Sequence, residues 1–273
     1  MNRIIYINSN LKKVYKDGSV FGKIKDKFNT RYIGESFIKD LGVSITTIKF
    51  PPNFNKRAYQ RNIYNIKKRF GNNNVRLAIK TFRSMDYYFY NDFQKRMLAY
   101  SVIKSLQLIL MRRKKSIGKN CVLIYDASDD INKYIIYELA KKAKYFILLS
   151  NNIRKIRVLC DYVLCSYGVS PIITNDMNYA IDNSDFIITS RQLDISNNCP
   201  IWYLDNMFVP KDTKDIIIND VTYFTPWKIE KMDITSELIG AMYNPRSYND
   251  IEKFLYKNDI FLDKIKFGKH IIT

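Results

Sequence analysis

With 273 residues, 47% of them hydrophobic, the chain has enough apolar material to bury one large core or two compact ones, which excludes a disordered protein. No run approaches the ~18 consecutive apolar residues of a membrane-spanning helix, and residues 1–13 lack the apolar stretch of a secretory signal, so a cytoplasmic address is expected. The formal charge of +19 is uneven: up to Gly118 there are 26 Lys and Arg against 6 Asp and Glu, a net of +20, and beyond it 19 against 20.

A codon bias toward A/T would add lysines, but it would add glutamates too, and Glu35 is the only glutamate before Glu138. The basic half therefore reads either as a solvated surface or as a surface for a polyanion, whether an acidic protein, nucleic acid or an anionic membrane. Cys121, Cys160, Cys165 and Cys199 lie in or beside apolar segments, far in sequence from the single histidine, His270. They read as reduced, mostly buried thiols, with Cys199 the one expected to be accessible.

In chain order, residues 3–8 predict a strand, 31–41 a short helix, and 43–50 a strand ended by Pro51 and Pro52. Across 55–70, Tyr59, Ile63, Ile66 and Phe70 recur at three- and four-residue spacing among Lys56, Arg57, Arg61, Lys67, Lys68 and Arg69. This predicts an amphipathic helix with a basic outer face, stopped by Gly71 and Asn72 to Asn74. Its cations, interleaved with Tyr59, Tyr64 and Phe70, suit phosphate contacts and stacking, including non-specific nucleic acid; the helical spacing equally suits aromatics in a core. Residues 75–82 alternate as a half-buried strand, and 93–111 form a helix apolar on more than one face, joining two domains across a cleft. That helix ends in Arg112, Arg113, Lys114 and Lys115, which read as a charged helix terminus or as a phosphate-binding patch.

After Lys119 apolar strands alternate with helices: strands at 121–126, 145–149, 171–174, 185–189 and 201–205, helices at 130–144 and 153–167. Late elements follow at 215–219, 235–242 and 249–257. The expected fold is α/β, with a basic N-terminal α/β domain (1–92), a connecting helix and basic linker (93–118), and a Rossmann-like doubly wound parallel sheet with C-terminal helices (119–273).

Three segments carry a family likeness. Val122-Leu-Ile-Tyr-Asp-Ala-Ser-Asp-Asp resembles the opening βα unit of the shikimate dehydrogenase and glutamyl-tRNA reductase type, and of the long acyl-carrier-protein reductases. Ala180-Ile-Asp-Asn-Ser-Asp-Phe-Ile-Ile-Thr-Ser resembles their A-x-x-x-A-D strand, and Trp202-Tyr-Leu-Asp-Asn-Met-Phe-Val-Pro their D-x-x-Y-x-P strand end. The resemblance covers roughly 119–242 and implies an NAD(P)-binding fold. Its ligand site would lie at the C-terminal strand ends, near Asp126, Ser128, Asp129, Ser150, Asn151, Thr189, Ser190 and Asp205. Arg154 stands where relatives that select a 2′-phosphate carry a base, which implies NADP.

The chain departs from that family at the phosphate-binding turn. G-x-G-x-x-G glycines let a backbone approach pyrophosphate, and here Asp126, Ser128 and Ile131 occupy their places. With Asp129 and Asp130 also present, each carboxylate–phosphate pair at ~6 Å would cost roughly 1 to 3 kcal/mol at an effective dielectric near 20. Ser128 or Asp129 would cap the first helix; alternatively the three carboxylates would hold Mg²⁺ or a cationic ligand. The family's N-V-T-x-P-x-K loop is reduced to a proline and Lys56, its N-T-D-G is missing, and no cysteine precedes Cys121. Two functions follow: an atypical Rossmann-like scaffold whose basic half docks on an acidic partner or polyanion, or an NADP-dependent reductase with an altered turn.

Overall fold

A computed structural model gives the architecture over residues 2–70, 75–193, 198–211, 215–229, 232–243 and 250–272. Strands β1 (Asn2–Ser9), β2 (Arg31–Ile38), β3 (Val43–Phe50) and β4 (Arg76–Lys80) form one sheet in the order β2-β3-β1-β4. β1 is parallel to β3 and β4, and its run Ile4, Ile5, Tyr6, Ile7 is buried, as a central strand covered on both faces requires. Residues 31–38, expected as a helix, instead form the edge strand, antiparallel to β3 with a register shift between Tyr32 and Gly34. Tyr32, Ile33, Phe37 and Ile38 favour extended backbone and Gly34 disfavours helix, so the open edge of β3 decides the outcome.

Helices α1 (Val20–Asn29), α2 (Lys56–Phe70), the short α3 (Arg83–Asp86) and α4 (Asp92–Arg112) complete the first part of the chain. α2 buries Ala58, Tyr59, Asn62, Ile63 and Ile66, and α4 buries residues on several faces, among them Met97, Leu98, Val102, Ile103, Leu106 and Ile109. The stop expected at Gly71 and Asn72 to Asn74 lies outside the described residues.

Then come β5 (Cys121–Tyr125), α5 (Asn132–Ala140), β6 (Tyr145–Leu149), α6 (Ile153–Tyr167), β7 (Ile172–Thr174), α7 (Met177–Asp182), β8 (Phe186–Thr189), β9 (Ile201–Tyr203) and β10 (Ile217–Ile218). The six strands are parallel in the order β10-β9-β8-β5-β6-β7. Counted from β5, this is the doubly wound order 3-2-1-4-5-6, whose direction of winding reverses between β5 and β8. Leu123, Ile147, Ile187 and Ile201 pack into its core, and the indole N–H of Trp202 on β9 donates to Ser105 Oγ of α4 at 3.0 Å.

The last segment holds β11 (Asp220–Phe224), α8 (Ser236–Met242), α9 (Ile251–Lys257), β12 (Phe261–Phe267) and β13 (His270–Ile271), with β11, β12 and β13 in one sheet. The chain divides into two compact units, Met1–Gln94 with Tyr223–Phe261, and Lys95–Thr222 with Leu262–Thr273. Sequence grouped 223–261 with the second half; instead α8 lies on β4 and β1. The guanidinium of Arg83 meets Glu237 at 3.3 Å, Gln94 Nε2 donates to Leu77 O (2.8 Å) and Glu237 O (3.1 Å), and a Cβ on Gly240 would meet Gln94 at 2.7 Å. Asn249, expected to open the last helix, lies outside the described residues. Among the described residues no helix is long and apolar enough to cross a membrane.

Candidate functional site

The winding reversal puts the ends of β5 and β8 side by side, with Tyr125 opposite Thr189 in the register. Asp126 therefore leaves β5 beside the place where Ser190 and Arg191 leave β8. Asp126 takes the left-handed backbone, φ 53°, that glycine adopts most readily; aspartate is among the few side chains that tolerate it. Its carboxylate turns toward β8, where Arg191 Nε donates to Asp126 Oδ2 at 2.6 Å and Arg191 Nη2 to Asp129 Oδ1 at 3.0 Å. Ser190 Oγ donates to Asp129 Oδ2 at 2.8 Å, and Asn132 Nδ2 to Asp126 O at 2.8 Å.

The turn's own amides are also engaged. Ala127 N donates to Leu149 O, Asp129 N to Asp126 O, and Asn132 N to Asp129 O, all at 2.9 Å. Lys155 Nζ meets Asp130 Oδ1 at 2.8 Å, and this lysine contact holds the Asp130 carboxyl below its ordinary pKa. The five charges of Asp126, Asp129, Asp130, Arg191 and Lys155 sum to one negative charge. A pyrophosphate does not fit this turn: it would meet the carboxylates of Asp126, Asp129 and Asp130, with the N–H groups of Ala127, Asp129 and Asn132 already bonded. The expectation that Ser128 or Asp129 caps the following helix is corrected too. α5 begins at Asn132, its N-cap position is Ile131 with no side-chain cap, and Asp129 is held by Ser190 and Arg191.

The other residues expected at the strand ends are distributed rather than convergent. Ser150 Oγ accepts from Asn152 N at 3.0 Å and Thr189 Oγ1 from Arg191 N at 3.0 Å, both local turn bonds. Asp205 accepts from Gln192 Nε2 at 2.5 Å and Met207 N at 2.8 Å. Asn151 and Arg154 are exposed, and Asn152 caps α6 by accepting from Lys155 N at 3.2 Å. Ser128 and Asp129 line a cavity of about 330 Å³ between α5 and α6, where the rings of Tyr137 and Tyr162 lie 4.7 Å apart and Asp130 and Lys155 also contribute. Sequence reasoning placed Arg191 at the end of β8 and did not pair it with the acidic turn. Its position just after β8 was legible in sequence, but only the strand order sets it beside the acidic turn.

The basic candidates divide likewise. Lys56, Arg57, Lys67, Lys68 and Arg69 are exposed on α2, whereas Arg61 reaches the buried Asp26 at 3.2 Å. Tyr59 is buried, Tyr64 is exposed, and Phe70 stacks on Tyr32 at 6.3 Å. At the end of α4, Lys114 takes a left-handed φ of 58° and Lys115 N closes on Leu110 O at 2.8 Å, a capped helix end. There Arg113 pairs with Asp215, Lys115 with Asp185 at 2.7 Å, and Arg112 Nη1 donates to Ile272 O at 3.3 Å. Cys199, expected to be accessible, is buried, and burial pushes its thiol up to about 11; Cys165 is the exposed cysteine.

No protein-family model matches the chain, and no curated protein does. Solved structures give distant matches. The shikimate 5-dehydrogenase of Listeria monocytogenes is 7% identical over 74% of this chain and 78% of its own, with a TM-score of 0.36. A Gluconobacter 5-ketofructose reductase is 7% identical over 76% and 80%, with a TM-score of 0.35. The ornithine transcarbamoylase of Giardia lamblia is 8% identical over 88% and 83%, with a TM-score of 0.39.

Proposed function

We propose that this is an atypical Rossmann-like protein in which the parallel sheet is a scaffold without conventional dinucleotide-dependent catalysis and the basic first half docks on an acidic partner or polyanion. The observation that carries the reading is the arginine clamp, in which Arg191 holds Asp126 and Asp129 at a turn whose Ala127, Asp129 and Asn132 amides are bonded to the protein's own carbonyls. A dinucleotide would have to break those bonds and bring its pyrophosphate beside two carboxylates. Docking is supported by the concentration of cations before Gly118 and by five exposed ones on α2.

A second reading, an NADP-dependent reductase with an altered turn, is favoured by the glycine-like backbone at Asp126 and by the exposed Arg154 near the start of α6. Calorimetric titration with NADPH, NADP⁺, NADH and NAD⁺ separates the two. The scaffold reading expects no heat of binding from the native protein, and binding, if any, only from the Asp126→Gly/Asp129→Gly variant. Micromolar affinity in the native protein would overturn it and favour the reductase.

A further inference from the structure

The apolar side chains of α1 face outward. Val20, Phe21, Ile24 and Phe28 are 67%, 81%, 50% and 75% exposed, while the residues the helix buries are Gly22 and Asp26. At ~100° per residue the four apolar positions fall within an arc of about 100°, and Gly22 and Asp26 lie on the opposite side. Lys23 and Lys27 border the arc on one flank and Lys25 on the other, all three exposed, with Lys25 Nζ 3.8 Å from the centre of the Tyr15 ring.

This orientation is locked from the inner side. The Asp26 carboxylate accepts from Tyr15 Oη at 2.7 Å, Asn62 Nδ2 at 2.8 Å, Asn53 Nδ2 at 3.0 Å and Arg61 Nη2 at 3.2 Å. A Cβ on Gly22 would meet the Asp17 carboxyl at 2.7 Å and the Asp17 backbone oxygen at 2.8 Å, so only glycine fits that face. Ser19 Oγ accepts from Gly22 N at 3.1 Å and sets the start of the helix. Rolling α1 to bury its rings would take Asp26 away from four donors, and a buried carboxylate without partners is far less favourable than exposed phenylalanines.

We propose that α1 is an interfacial helix that lays its apolar arc on an anionic lipid bilayer. Phe21, Ile24 and Phe28 enter the boundary between headgroups and acyl chains, and Lys23, Lys25 and Lys27 meet lipid phosphates. The inference rests on the reading of the basic half as a polyanion-docking surface, and it names the polyanion. Nucleic acid would match the lysines and leave the outward rings in water. An anionic bilayer matches both the convex apolar arc and its basic rims.

The test uses the full chain. Trp202 and Trp227, its two tryptophans, are both buried, so Phe28→Trp adds a single surface reporter. With phosphatidylcholine vesicles containing phosphatidylserine, its emission should shift to the blue and be quenched by brominated acyl chains. Phe21→Ser/Ile24→Ser changes only exposed side chains and should weaken vesicle binding by about tenfold or more. Lys23→Gln/Lys27→Gln should weaken it on phosphatidylserine vesicles. An unshifted reporter on vesicles, with heparin still bound, overturns the lipid assignment and leaves polyanion docking standing; failure of both probes removes both. A blue shift without vesicles that grows with protein concentration makes a second copy the occupant and likewise overturns the proposal.

Discussion

Arg83 and Glu237, 154 positions apart, are 3% and 1% exposed, so each is buried against an opposite charge. Burial pushes the Glu237 carboxyl up, but Arg83 and then Lys80 outweigh it and hold the pKa below the ordinary carboxylate value. Because the folded-state pKa is depressed below an unfolded value of about 4.3, this carboxylate's stabilisation is complete above that value and fades as the pH falls through the folded pKa. Glu237→Gln should therefore cost about 3–5 kcal/mol at pH 7 by leaving Arg83 without its carboxylate. Denaturant midpoints of the two proteins should begin to converge as the pH falls below about 4.3 and meet only below the depressed pKa of Glu237; a gap that stays constant with pH would assign the loss to packing. The acidic run Asp126, Asp129 and Asp130 after the first apolar strand of the second half was visible in sequence. Its partner was not, since Arg191 lies 65 positions away and only the adjacency of β5 and β8 brings it to 2.6 Å.

Among the elements, α2 and α6 followed from periodicity, and β3 and β6 from apolar runs, because each buries one stripe or both faces in a regular period. β2 and α1 did not follow. An edge strand with one exposed face carries a weak pattern, and a helix whose inward face is glycine and aspartate reverses the usual sign of the pattern. The basic stripe of α2 makes a separate prediction. If its exposed cations contact a polyanion, Lys67→Gln/Lys68→Gln/Arg69→Gln should lower the slope of log affinity against log salt for duplex DNA as a probe by about 2 to 3. An unchanged slope would mean that these side chains are only solvated.

For the whole molecule, the return of Tyr223–Phe261 to the first unit means that this unit is built from two segments separated by residues 95–222. A chain ending at Thr222 would lose Glu237 from Arg83 and α8 from β4 and β1, and from the second unit only residues 262–273. Limited proteolysis of that truncation should cut within residues 1–94 well before 121–203, whereas equal resistance of the two segments would show that the first unit needs no C-terminal segment. The sequence by itself determined the α/β class, the alternation that builds the parallel sheet, the uneven charge and the acidic character of the turn after β5. All of these are local or compositional properties, carried by the period of side chains along one segment. Only the tertiary structure decided the clamp of Arg191 on the acidic turn, the outward face of α1 and the membership of residues 223–261. Each of these depends on contacts between groups far apart in sequence, whose proximity no local pattern encodes.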